Sequence, residues 1–213
     1  MAVAALEAGH RVTLLLGAGV SVGLRADVEA AAARAAKAAR ATMSAMSPAM
    51  AMTAKLAPPL TVVPFVSVAD LQRALASRFA AADALVMAAA VGDFRPESVS
   101  PTKLRRRGGP ITLRLVPTQD VLASVAATKK PGQRIVAFAV EDGPRDDIEA
   151  KARREMIEKH ADFVVLNPPA AMGTASSQAC ILTRDGVALP WGERPKTQLA
   201  AEIVKLLPVP CGK

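Results

Sequence analysis

The chain has 213 residues, a length that suits one domain with a core of its own. Half of it is hydrophobic, but aromatics make up only 3% and Tyr is absent, so Ala, Val, Leu and Met must build the core and no aromatic platform is offered to nucleic-acid bases. The net charge of +8 and pI near 10.0 favour anionic ligands, two cysteines exclude a disulfide framework, and no apolar run is long enough to cross a bilayer.

Residues 2–8 read as a helix that stops at Gly9, a natural residue for a left-handed helix end. Residues 12–16 read as a buried strand, 25–40 as an Ala-rich helix, and 42–59, rich in Met, Pro and Ala, as a loose connection. A strand over 60–66 is expected at a sheet edge because of Pro64, and Ser67 is expected to cap a helix to about Phe79. Residues 84–89 form a short apolar strand expected to be buried on both faces, followed by a basic loop over 90–110. A half-buried strand over 111–116 leads to Thr118, the expected cap of a helix over 120–128.

Pro131-Gly132 marks a turn, 134–140 a strand, 146–160 a charged amphipathic helix and 162–166 a short strand. Residues 180–183 and 187–189 form a hairpin about Arg184-Asp185-Gly186, and Pro195 opens a last helix over 197–207. Alternating helices and strands imply an α/β fold with a mostly parallel central sheet. The first helix has no strand before it, although crossover helices follow strands. The expectation is one domain over 1–213 that begins after its first strand, with an insertion at about 23–59.

Gly17-Ala18-Gly19-Val20-Ser21-Val22-Gly23 follows a strand, but its G-x-G-x-x-x-G spacing is one residue longer than a dinucleotide fingerprint and reads as a plain Gly-rich loop. Ala88-Ala89-Ala90-Val91-Gly92-Asp93 lies where ligands of open α/β sheets bind, at a strand's carboxyl end; Asp93 suits ribose hydroxyls or a magnesium ion, or its own backbone. Lys103 opens a run of four cations in five residues, either a solvated run or a phosphate contact. Gln119, Asp120, Val121 and Leu122 open a helix, which is either an ordinary cap or an anion and base contact. Phe138, near Glu141 and Asp142, is a core residue or a base-stacking one. His10 and His160 have no ligand-spaced partners, so no metal site is expected.

Taken in order, these segments resemble the phosphopantothenoylcysteine synthetase (phosphopantothenate–cysteine ligase) family, the synthetase half of the bacterial coenzyme A biosynthesis bifunctional flavoprotein. Residues 88–95 resemble A-A-A-V-[AS]-D-[YF]-R, and Lys103-Leu104-Arg105-Arg106 resembles K-[IL]-K-K. Residues 113–121 resemble L-x-L-x-x-x-P-D-I with Gln119 in place of Pro, and 136–141 resemble V-G-F-A-A-E. Residues 159–167 resemble K-G-x-D-x-[IV]-[VC]-A-N, and the likeness covers 1–22 and 60–207.

The resemblance implies a Rossmann-like three-layer sandwich with a C-terminal β-hairpin. It implies ligation of 4′-phosphopantothenate to cysteine through an acyl-nucleotidylate, with CTP (or ATP) and Mg2+ and without flavin, in a homodimer; the few cysteines, short apolar runs and missing aromatic platform add the expectation of a cytoplasmic protein that binds neither nucleic acid nor membrane. By the same resemblance Met87, Ala88 and Ala89 would line the nucleotide and Asp93 would hold its ribose. Lys103 would stabilise charge in the transfer, Gln119, Asp120, Val121 and Leu122 would read the base, Phe138 would pack on it, and Lys159 would reach the triphosphate. The family's N-x-S-S-G loop is not found, and Glu155 stands at a position that is basic in the family. An inactive nucleotide-binding or dimerisation remnant is the alternative, and an NAD-binding oxidoreductase a third.

Overall fold

The computed structural model describes residues 1–19, 22–44, 59–103 and 109–210, with side chains over 26–37 in the long helix. In chain order the elements are α1 (Ala2–Glu7), β1 (Val12–Gly17), α2 (Val22–Ser44), β2 (Leu60–Phe65), α3 (Val68–Arg78), β3 (Ala84–Met87), β4 (Phe94–Pro96) and β5 (Leu115–Pro117). They continue with α4 (Val121–Ala126), β6 (Arg134–Val140), α5 (Arg145–Glu158), β7 (Phe163–Asn167), β8 (Ser176–Thr183), β9 (Val187–Pro195) and α6 (Lys196–Val204).

The main sheet has the order β3-β6-β7-β8-β9. Strands β3, β6 and β7 are parallel, and β8 and β9 are added antiparallel about the Arg184-Asp185-Gly186 turn. The apolar runs of β6 and β7 are covered on both sides, as a parallel strand between helices must be. Alternate residues sort the two faces. Ile135, Ala137, Val164 and Leu166 meet Leu71 and Leu75 of α3, Val121, Leu122 and Val125 of α4, and Ile148, Ala152 and Met156 of α5. Val136, Val165 and Ile181 meet Leu199 and Ile203 of α6. Each such aliphatic side chain contributes about 1.5–3 kcal/mol when fully buried. With α1 packed on α6 and α2, the fold is a three-layer, Rossmann-like α/β sandwich with a parallel-rich sheet.

Strands β1 and β2 pair in parallel as a ladder of their own, with no ladder to β3 among the described residues. Leu15 and Phe65 nevertheless pack against the main core. Strand β3, read as buried on both faces, is covered fully only at Met87, and no ladder among the described residues lies along its second edge. Pro64 does sit in an edge strand, where its missing N–H matters least. Gly17 serves packing: a Cβ there would lie 3.3 Å from the Phe65 ring, which supports the plain-loop reading of the glycine run.

Several boundaries moved. The Ala-rich helix runs to Ser44, into the stretch read as loose; the rest of that stretch, 45–58, lies outside the described residues. The expected strand over 111–116 is ordered as a strand only at Leu115–Pro117, since it pairs with a three-residue partner. The hairpin strands are longer than read, and the last helix begins at Lys196 with Pro195 as its cap. Two helix ends share one bond pattern. After α1, Gly9 (φ +88°) donates to Leu6 O and His10 N–H to Ala5 O, both at 3.0 Å. After α5, His160 takes the same left-handed place (φ +48°), its N–H on Ile157 O at 3.1 Å and that of Ala161 on Met156 O at 2.9 Å. No helix among the described residues is long and apolar enough to cross a membrane.

Candidate active site

Strand β3 ends at Met87, which faces the α3/α4 core, and the chain leaves through exposed Ala88, Ala89 and Ala90. Their small side chains leave the strand end open. The loop is then tied to the start of α4. The Thr118 N–H donates to Asp93 O at 2.8 Å, and the Thr118 hydroxyl donates to Gly92 O. Thr118 is therefore not the helix cap expected from sequence. Asp120 is, with Oδ1 accepting from Ala123 N–H at 2.9 Å. Thr118 instead joins two segments that are 26 residues apart. The Asp93 carboxylate is left exposed at this junction.

Between them runs an arm, the antiparallel β4–β5 pair, in which Glu97 N–H donates to Arg114 O at 2.9 Å. Lys103 lies on the arm and is exposed; the cations Arg105, Arg106 and Arg107 that follow lie outside the described residues. Phe94, Leu113 and Leu115 on the arm are more than half exposed.

Lys159 is brought to the α4 turn. Its Nζ lies 3.5 Å from Asp120 Oδ2 and 3.3 Å from Glu155 Oε2. Burial pulls the Lys159 ammonium down, but Glu155 and Asp120 outweigh it and leave the pKa above the ordinary lysine value. Glu155 also faces Lys151 at 3.9 Å, and Lys151 donates to Glu141 Oε2 at 2.8 Å. The hydrogen bond to Glu141 is the main cause that raises the Lys151 pKa. The result is an alternating chain, Glu141–Lys151–Glu155–Lys159–Asp120, in which carboxylates already occupy both ammonium groups.

Phe138 and the start of α4, both expected to meet the base, lie on opposite faces of the sheet. Phe138 lies on the α6 face, packed with the Val136 and Val165 cluster, whereas Gln119–Leu122 lie on the other face. Strand alternation separates them, and Ala137 and Ala139 are the β6 residues that face α4's side. Val121 and Leu122 are buried core residues in a helix of only six residues, whose Ala123 N–H is already used by Asp120. Gln119, just before the cap, is exposed. Its Oε1 accepts from Gln72 Nε2 at 2.9 Å, so α3 contributes Gln72, a residue with no signal in the sequence beyond its helical setting.

The sequence model of the DNA/pantothenate metabolism flavoprotein C-terminal domain family matches residues 27–208. The chain belongs to this family. As a domain of this family it is 35% identical over 164 residues to the coenzyme A biosynthesis bifunctional protein CoaBC of Mycobacterium bovis, covering 71% of this chain and 39% of that protein. It is 30% identical over 150 residues to a cysteine/cysteine sulfinic acid decarboxylase from an unknown prokaryotic organism, covering 68% and 41%. The chain thus spans about two fifths of the length of these curated relatives. A solved C-terminal domain of CoaBC superposes with a TM-score of 0.54 at 27% identity, covering 71% of this chain and 69% of that one.

Proposed function

We propose that this domain ligates 4′-phosphopantothenate to cysteine at the expense of a nucleoside triphosphate, CTP in the first instance, in coenzyme A biosynthesis. The observation that carries the reading is the junction of Asp93, Thr118–Asp120 and Lys159 at the end of β3, in a chain of this family. Polar groups converge there on an open strand end, where α/β sheets bind ligands.

In this reading the substrate carboxylate attacks the α-phosphate, the bond to pyrophosphate breaks, and an acyl-nucleotidylate forms. The cysteine amine then attacks the acyl carbon, the C–O bond to phosphate breaks, and the nucleoside monophosphate leaves. Ala88 and Ala89 let the nucleotide lie against the backbone after Met87, and Asp93 takes the ribose hydroxyls. Lys103 stabilises the charge of the transfer from the arm, and Lys159 reaches the phosphates once it leaves its carboxylates.

Among the described residues no three His, Cys, Asp or Glu side chains converge to hold a metal ion. In this reading magnesium enters as part of the nucleotide substrate, and no step is assigned to it. Phe94, Ile111, Leu113 and Leu115 expose an apolar stripe on the arm, and a homodimer would cover it.

A second reading, a binding-only domain without turnover, is favoured by the neutralised Lys159 and the split sheet. Pyrophosphate release from CTP with magnesium and cysteine separates the two. Release that depends on 4′-phosphopantothenate supports the ligase; nucleotide binding without release supports the second reading.

A further inference from the structure

We propose that the cleft at the amino ends of β6 and β7 is a second anion site, which takes the phosphate group of a small molecule. This site stands independently of the ligase reading. The β3–β6 ladder pairs Ala84 with Arg134 and Met87 with Ala137, so Arg134 lies at the end of the sheet opposite the strand end proposed for the nucleotide. There the end of α4, the starts of β6 and β7 and the Arg184-Asp185-Gly186 turn surround an open cleft of about 550 Å3. Phe163 pairs with Thr183, which sets that turn beside the start of β7.

Three cations, two carboxylates and His160 line the cleft, and they are not equally engaged. Asp162 and Lys129 form a closed pair at 2.6 Å, and Asp162 Oδ2 also accepts from Ile135 N–H at 2.7 Å. Arg134 approaches Asp162 only to 4.0 Å and is half exposed, with its guanidinium carbon 5.9 Å from the centre of the Phe163 ring. Arg184 is exposed on a turn that Arg153 holds in place, donating to Thr183 O at 2.7 Å and to Gly186 O at 2.9 Å. Two guanidinium forks, the group best matched to phosphate, are thus left with donors to offer, against the single carboxylate of Asp185.

Two helices end here, and bare carbonyl ends would repel an anion. These carbonyls are already taken. Val125 O accepts from the N–H and the hydroxyl of Thr128, at 3.0 and 2.8 Å, and Ala126 O accepts from Lys129 N–H at 3.0 Å. Met156 O accepts from Ala161 N–H at 2.9 Å, and Lys129 Nζ covers His160 O at 3.3 Å.

His160 favours a ligand site over an ordinary charged surface. Among the described residues it is the one non-glycine with a left-handed backbone, φ +48°. Glycine would hold that turn without the steric penalty. The imidazole is exposed and adds no hydrogen bond to the fold among the described residues. A side chain kept on a strained backbone at the rim of a cleft is accounted for by what it binds there.

The test is a titration of the whole chain with inorganic pyrophosphate, followed residue by residue through amide NMR signals at constant ionic strength. Saturable shifts are expected at residues 126–134, 160–163 and 183–186. Arg134→Ala and Arg184→Ala should each weaken this binding about tenfold, as the loss of a charge-assisted bond does. His160→Gly should also weaken it while melting no lower than the parent. Arg73→Ala, which removes the same charge from α3, should leave it unchanged. Shifts at the cleft that do not saturate, or an affinity equal in all three cleft variants, would overturn the proposal. Shifts confined to residues 88–93 and 118–120 would overturn it too, and would leave the reading of the β3 end intact.

Discussion

Glu155→Gln is the perturbation whose effect the structure defines best. Glu155 Oε2 lies 3.3 Å from Lys159 Nζ, and both side chains are about one-third exposed. The substitution keeps the shape and removes one negative charge from the ammonium expected to meet the triphosphate. A carboxylate about 6 Å from a phosphate, at an effective dielectric of about 60 for so wet a site, repels it by about 1 kcal/mol per unit charge. That is about a fivefold gain in nucleotide affinity. The fold should barely respond, because an exposed i,i+4 pair contributes about 0.3–0.5 kcal/mol and shifts the melting temperature by about 1–2 °C. Calorimetric titration of CTP at low and raised salt reads both parts. The variant should bind about five times more tightly at low salt, with the advantage shrinking as salt screens it. Equal or weaker binding by a folded variant would refute the idea that Glu155 competes with the nucleotide for Lys159.

Lys103→Ala should cut turnover severely with melting unchanged, since the side chain is exposed; full pyrophosphate release by the variant would remove Lys103 from the reaction. Leu113→Glu should shift the chain towards monomer in light scattering, because a charge enters the apolar stripe of the arm. His160→Gly should raise stability by about 0.5–1 kcal/mol in denaturant titration, because His160 holds a left-handed conformation at no gain from its side chain. Cys180 is buried and burial pushes its thiol up to about 12, so it should resist alkylation in the native state and react on unfolding, as peptide mapping would show. Its contribution to stability is complete below pH 9 and is lost as pH rises from there towards 12.

Local chemistry was legible in the sequence wherever it acts through neighbours in the chain. Gly9 ended α1, Ser67 capped α3, Arg184-Asp185-Gly186 turned the hairpin, and the apolar runs of 134–140 and 162–166 made central strands. These depend on backbone dihedrals, on side chains three or four residues apart, and on an apolar run long enough for one strand. The ordered segments from Ala88 to Asn167 also carried the family, which the match over 27–208 bears out.

Tertiary structure decided what lies across from what. Whether Asp120 or Thr118 caps α4 depended on Gly92, which claims the Thr118 hydroxyl from 26 residues away. Phe138 was assigned to the α6 face, away from Gln119, by the register of β6 between β3 and β7. Lys159, a cation free to bind phosphate when read alone, is held by Asp120 from 39 residues earlier, and Gln72 joins the site only because α3 packs beside α4. Spacing along a chain specifies periodicity and caps; it does not specify which partner reaches a carboxylate or an amide first, because that is settled only when the layers pack.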